Sequence, residues 1–153
     1  MITEPEIVES PAQTIAFIHT TVPRAEIMAA MNAGLEELSA VLKAQAVVPT
    51  GPWFTYHFRR PNETFDFRIC FPVDAEIKPT GRVEAGQLAA ATVARTIYSG
   101  NYTGLAAAWG QFMNWIEEHR YNTREDLWER YLVNPDTSAQ PEDWRTELNR
   151  PLA

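Results

Sequence analysis

The chain holds a single cysteine, Cys70. No intrachain disulfide can form, and a cysteine-rich zinc site is excluded. Histidine is scarce as well. His19, His57 and His119 stand far apart, without H-x-x-H or H-E-x-x-H spacing, so neither a metal centre nor a cofactor is expected. Basic residues are outnumbered: 13 Lys and Arg against 20 Asp and Glu give a formal net charge of -7 and a pI near 4.9. A chain of that sign repels a phosphate backbone, so direct nucleic-acid binding is not expected. No apolar run is long enough to cross a membrane. The start, Met1-Ile2-Thr3-Glu4-Pro5-Glu6, has neither a basic n-region nor an apolar core, which leaves the cytoplasm as the expected compartment. A Walker loop and a dinucleotide fingerprint are missing too, and Gly51-Pro52 reads as a turn rather than a phosphate cradle.

What is present is a chain able to fold. It has 153 residues, 45% hydrophobic and 11% aromatic, enough for one domain or two small modules sharing a core. Gln13 to Thr20 is β-branched and apolar, a strand signal. Pro23 then suits a first helical turn. Ile27, Met28, Met31, Leu35, Leu38 and Leu42 recur at helical steps with Glu36, Glu37 and Lys43 between them, which predicts an amphipathic helix. Trp53 to Arg60 and Thr64 to Phe71 read as a hairpin around Pro61-Asn62-Glu63. In its second strand Phe65, Phe67, Ile69 and Phe71 share one face, and Asp66, Arg68 and Cys70 the other. Residues 74–86 are polar and read as a connector. Gln87 to Ser99 is a strand, and Leu105 to His119 a helix with Leu105, Trp109, Phe112, Met113 and Ile116 on its stripe. Leu127 to Val133 and Trp144 to Arg150 are the last two strands.

The order strand, helix, strand, strand therefore occurs twice. Trp53-x-x-Tyr56 answers to Trp128-x-x-Tyr131, and Pro72-Val73 to Pro151-Leu152. The expected fold is α+β: a pseudo-twofold duplication of a strand-helix-strand-strand module. Module one covers about 11–73, a connector 74–86, and module two about 87–152, all within one domain. Each module sets one helix against an antiparallel sheet, with a cleft expected between the two copies.

Three stretches resemble one family. Tyr98-Ser99-Gly100-Asn101-Tyr102 resembles a "Y-x-G-x-Y" strand-to-helix turn. Trp128-Glu129-Arg130-Tyr131 with Asn134-Pro135 is similar to a "Y-E-x-Y…D-P" strand and loop. Pro141-Glu142, Thr146-Glu147-Leu148 and Pro151-Leu152 are similar to a "P-E-…-T-E-I-…-P-L" ending. With Gly51-Pro52 and Phe71-Pro72-Val73 in the first half, the chain resembles the GyrI-like small-molecule-binding domains, the effector-binding part of AraC- and MerR-type multidrug regulators. The short leader before Pro11 cannot hold a helix-turn-helix, so the resemblance implies a stand-alone version. Arg68 departs from it, since many members carry an acidic residue there.

Glu129 is the main candidate residue. A carboxylate on an aromatic strand face is costly unless a cation meets it. The resemblance implies a pocket carboxylate receiving cationic, aromatic molecules, with Tyr131, Phe54, Tyr56, Tyr102 and Trp144 as ligand-binding walls. Phe54 and Tyr56 are expected in the first copy where Glu129 and Tyr131 stand in the second. The structural alternative for Glu129 is an ion pair with Arg68, Arg95 or Arg145. Glu147 is either a strand-end structural residue or the second member of a carboxylate pair with Glu129. Cys70 is expected to be a buried, inert thiol.

The expected function is binding of a hydrophobic, aromatic or cationic small molecule, for effector sensing or drug sequestration. A hydrolase of cyclopropane-type toxins using Glu129 and Tyr131 is one alternative. A partner-binding protein similar to a DNA gyrase inhibitor is another, and a protein partner or homodimer fits either.

Overall fold

A computed structural model describes residues 1–153. Eight antiparallel strands and two α-helices make an α+β fold. In chain order they are β1 (Glu6–Ser10), β2 (Gln13–Pro23), α1 (Ile27–Ala44), β3 (Phe54–His57), β4 (Thr64–Pro72), β5 (Val83–Leu88), β6 (Ala91–Ser99), α2 (Leu105–Glu118), β7 (Leu127–Val133) and β8 (Arg145–Pro151). The chain divides into two compact units. One is Pro11–Ala90; the other joins Met1–Ser10 to Ala91–Ala153. No helix is long and apolar enough to cross a membrane.

In the unit of residues 11–90 the strands run β3-β4-β2-β5. Alternation along β4 decides its two faces. Phe67 and Ile69 join Ala16 and Ile18 of β2 and Leu38 and Leu42 of α1 in a core that excludes water almost completely. Burying each of the Phe, Ile and Leu side chains contributes about 1.5–3 kcal/mol. Register then assigns β3. Thr55 lies opposite Ile69 and His57 opposite Phe67, on the side of α1; Phe54 lies opposite Cys70 and Tyr56 opposite Arg68, on the side turned away.

The other unit uses the same order, β6-β8-β7, with β1 added beside β6. Its core gathers Ala94, Tyr98 and Leu148 of the sheet under Ala108, Trp109, Phe112 and Ile116 of α2. Glu129 lies opposite Leu148 and Tyr131 opposite Thr146. Both therefore share the sheet face that meets α2.

Two strands escape the sequence reading. β5 lies largely within the stretch read as a connector, and β1 within the leader. Glu84, Gly86 and Gln87 leave β5 without an apolar alternation, and it is held by its ladder to β2. Likewise β1 is a short edge strand defined by its pairing with β6.

Candidate functional site

The site is built from the strand-to-helix turn before α2. Tyr98 is next to last in β6, and its hydroxyl reaches the following turn, donating to the Asn101 carbonyl at 2.7 Å. Gly100 supplies a φ of 128° that a side chain would resist. Gly104 leaves the space that the Tyr98 hydroxyl occupies, where a Cβ would collide with it. Asn101 caps the turn, accepting from the Thr103 backbone N–H at 3.1 Å. Tyr102 is thereby fixed at the start of the helical segment, stacked on Trp144 with centroids 4.8 Å apart and edge-on to Tyr131 at 5.9 Å. Trp144 is anchored in turn, its indole N–H donating to the Ser138 carbonyl at 3.0 Å.

Glu129 projects from β7 into this aromatic group. Trp109 of α2 donates its indole N–H to one carboxylate oxygen at 2.6 Å, and the Tyr131 hydroxyl donates to the other at 2.8 Å. Trp109 and Tyr131 are buried, while Glu129 keeps some contact with solvent. Burial pushes the Glu129 carboxyl above its usual range, and the two donated hydrogen bonds pull it partly back. No cationic side chain pairs with it. The Tyr102 hydroxyl is buried without a hydrogen-bond partner, and its pKa is pushed up to about 12 by desolvation, then by the charges of Glu129 and Asp136. Negative potential thus collects at one aromatic spot. A flat cation satisfies such a spot through Coulomb attraction and ring faces together.

Several sequence expectations change here. The ion pair considered for Glu129 belongs to Glu147 instead. Glu147 meets Arg130 at 3.0 Å and Arg95 at 3.4 Å, and accepts from Asn149 at 3.0 Å. It cannot form a carboxylate pair with Glu129, because adjacent β8 residues alternate and Leu148, not Glu147, shares the Glu129 face. Phe54 and Tyr56 do not occupy the places equivalent to Glu129 and Tyr131. They face away from α1, and the β3 residues on the helix side are Thr55 and His57. There the His57 ring meets the Thr55 hydroxyl at 3.1 Å, two residues apart as Tyr131 and Glu129 are. The Trp-x-x-Tyr match is out of phase by one residue: Trp53 packs against the α1 core, whereas Trp128, next to Glu129, points away from α2.

Trp109 is the site residue the sequence reading assigned only to an apolar stripe. Its signal was chemical: an indole on a buried stripe carries an N–H that needs an acceptor, and a carboxylate on the next element needs a donor. Cys70 is fully buried, and desolvation drives its thiol pKa upward, away from the reactive thiolate.

A model of the GyrI-like small molecule binding domain matches residues 3–153. The chain belongs to that family, a family of small-molecule-binding domains. No curated protein matches the sequence. Among solved structures, the EcmrR C-terminal domain superposes with a TM-score of 0.84 at 20% identity, covering 98% of this chain and 97% of that one. The larger EcmrR chain in a DNA complex gives 0.86 at 21% identity, over 97% of this chain, and this chain spans only 57% of its length. SAV2435, solved bound to tetraphenylphosphonium, gives 0.71 at 12% identity over 99% of this chain and 94% of its own. A hydrolase from Listeria innocua gives 0.67 at 10% identity over 98% and 92%.

Proposed function

We propose that this protein binds a lipophilic aromatic cation beside Glu129, as an effector-binding or drug-sequestering domain. The observation that carries the reading is a half-buried carboxylate, held by two neutral donors, ringed by aromatics and lacking any cation of its own. Trp109 and Tyr131 orient it and favour its ionised form. Tyr102 and Trp144 offer the ring faces. SAV2435 accepts tetraphenylphosphonium on a related fold, which makes that ion the natural probe.

Thermal shift and calorimetry with tetraphenylphosphonium, set against neutral tetraphenylmethane analogues, test this on wild type and Glu129→Gln. The wild type is expected to gain melting temperature with the cation. The variant is expected to lose about 1–3 kcal/mol of affinity, the range of a hydrogen-bonded or ring-assisted charge contact. No shift in the wild type, or equal affinity in both proteins, sinks the reading.

The hydrogen bond between Tyr131 and Glu129 supports a second reading, a hydrolase. Glu129 would take a proton from water as the water oxygen bonds to a ring carbon of an electrophilic cyclopropane. The ring C–C bond breaks, and its electron pair passes into the conjugated carbonyl that activates the ring. The Tyr131 hydroxyl would protonate that oxygen and be reprotonated through Glu129. Turnover of such a substrate, abolished in Glu129→Gln, is its signature; binding without turnover leaves the first reading.

A further inference from the structure

Arg68 lies in the unit of residues 11–90, on the sheet face turned away from α1. Its guanidinium carbon sits 4.3 Å from the centroid of the Phe17 ring and 5.1 Å from that of Phe58. Phe58 is braced by Tyr56, edge-on at 5.3 Å, and by His19 at 5.2 Å. Two aromatic rings thus pack against the guanidinium. Its Nε–H is buried with no acceptor, and no carboxylate pairs with its charge.

The nearest candidate counter-ion is already engaged. Asp66 shares the Arg68 face of β4, yet it binds the His19 ring at 2.6 Å, the Thr21 hydroxyl at 3.1 Å and Arg59 at 3.8 Å. Glu84 of β5 stands opposite Phe17 in the ladder and is exposed, without an ion pair to Arg68. A guanidinium packed against aromatic rings gains attraction from them and no hydrogen-bond acceptor. Its edge carries only N–H donors, arranged to meet two oxygens at once. Leaving such donors unmet costs free energy that an oxyanion recovers.

We propose that Arg68 is the anchor of an oxyanion site, taking a carboxylate or phosphate borne on a flat apolar body, with Phe17, Phe58 and Tyr56 as its apolar surround. Its residues belong to the unit of residues 11–90, and those around Glu129 to the other unit. It would give the protein affinity for aromatic acids in addition to cations.

The test follows the side-chain Nε–H cross-peak of Arg68 by ¹⁵N NMR on the full chain. The peak is identified by its absence in Arg68→Lys. Benzoate, inorganic phosphate and neutral benzyl alcohol are titrated separately at low salt. A saturable shift of that peak with benzoate and not with benzyl alcohol supports the proposal. Saturation by phosphate as tightly as by benzoate keeps the oxyanion anchor and removes the apolar surround from it. Backbone shifts around β2 and β4 are expected to vanish in Arg68→Gln and to persist in Glu129→Gln. No saturable shift with either anion in the wild type overturns the proposal. So do equal benzoate shifts in a folded Arg68→Gln, with amide dispersion as the check on folding.

Discussion

Two buried titratable groups with opposite habits define the residue scale. Glu129 is a carboxyl made harder to ionise by burial, and Trp109 and Tyr131 work against that. Trp109→Phe keeps the packing and deletes one donor, so the Glu129 pKa climbs further. Cation affinity is then expected to fall about tenfold, the scale of one hydrogen bond to a charged group. The loss should be larger at pH 6 than at pH 8, because the carboxylate is the binding form; calorimetry at both values checks it. His57 is the reverse case. Desolvation lowers its pKa from 6.5 to about 4, and its Nδ1 has no partner. The unfolded chain therefore takes up a proton first as pH falls. Stability present above pH 6.5 drains away toward pH 4, by on the order of 3 kcal/mol. Urea midpoints at pH 7 and pH 4.5 should differ strongly in the wild type and less in His57→Phe. Glu129 opposes this trend, since protonation relieves a desolvated charge, so the comparison is between variants rather than between absolute values.

At the scale of elements, β7 and β8 put different chemistry on their two faces. One face gives Glu129 and Tyr131 to the aromatic site beneath α2. The other holds Glu147 between Arg95 and Arg130, with Asn149 completing the network. Burial lowers the Arg130 pKa, and the Glu147 charge raises it partly back. Glu147→Ala removes the carboxylate that the partly buried Arg95 and Arg130 share. It is expected to cost about 3 kcal/mol, as breaking buried ion pairs does. Chemical denaturation reads the loss, and the Glu147→Gln variant should recover part of it through the retained amide oxygen. Cation binding at Glu129 should survive in both variants at temperatures where they are folded. A parallel loss of binding would mean that the two faces of β7 are not separable.

For the molecule as a whole, the net charge of -7 sets a long-range field. Cations are drawn in and anions turned away until local contacts take over. Affinity for tetraphenylphosphonium is expected to weaken as salt rises from 0.01 M to 0.15 M, where the Debye length shortens from about 30 Å to about 8 Å. The weakening should be mild, because a partly buried carboxylate is screened less than a surface one. A steep salt slope, measured by calorimetry, would place the binding on the exposed acidic surface and not at Glu129. The field also makes the Arg68 proposal demanding: an oxyanion must find its site against repulsion, which is why the titration begins at low salt.

Much of this protein was legible in the sequence because it depends on neighbours along the chain. The 3.6-residue stripe from Ile27 to Leu42 defines α1, the alternation from Phe65 to Phe71 defines β4, and Pro and Gly punctuate the segments between. The repeat of strand, helix, strand, strand follows from these local patterns, and so does the choice of Glu129 as a carboxylate in aromatic company. What the sequence could not decide was settled by partners far away in the chain. β1 and β5 are strands only because β6 and β2 offer them ladders. Glu129 met Trp109, 20 residues away, and no arginine, while the arginines went to Glu147 across β8. Phe54 and Tyr56 turned away from the helix because hairpin register, a property of two strands and not of one, fixes which side each residue faces.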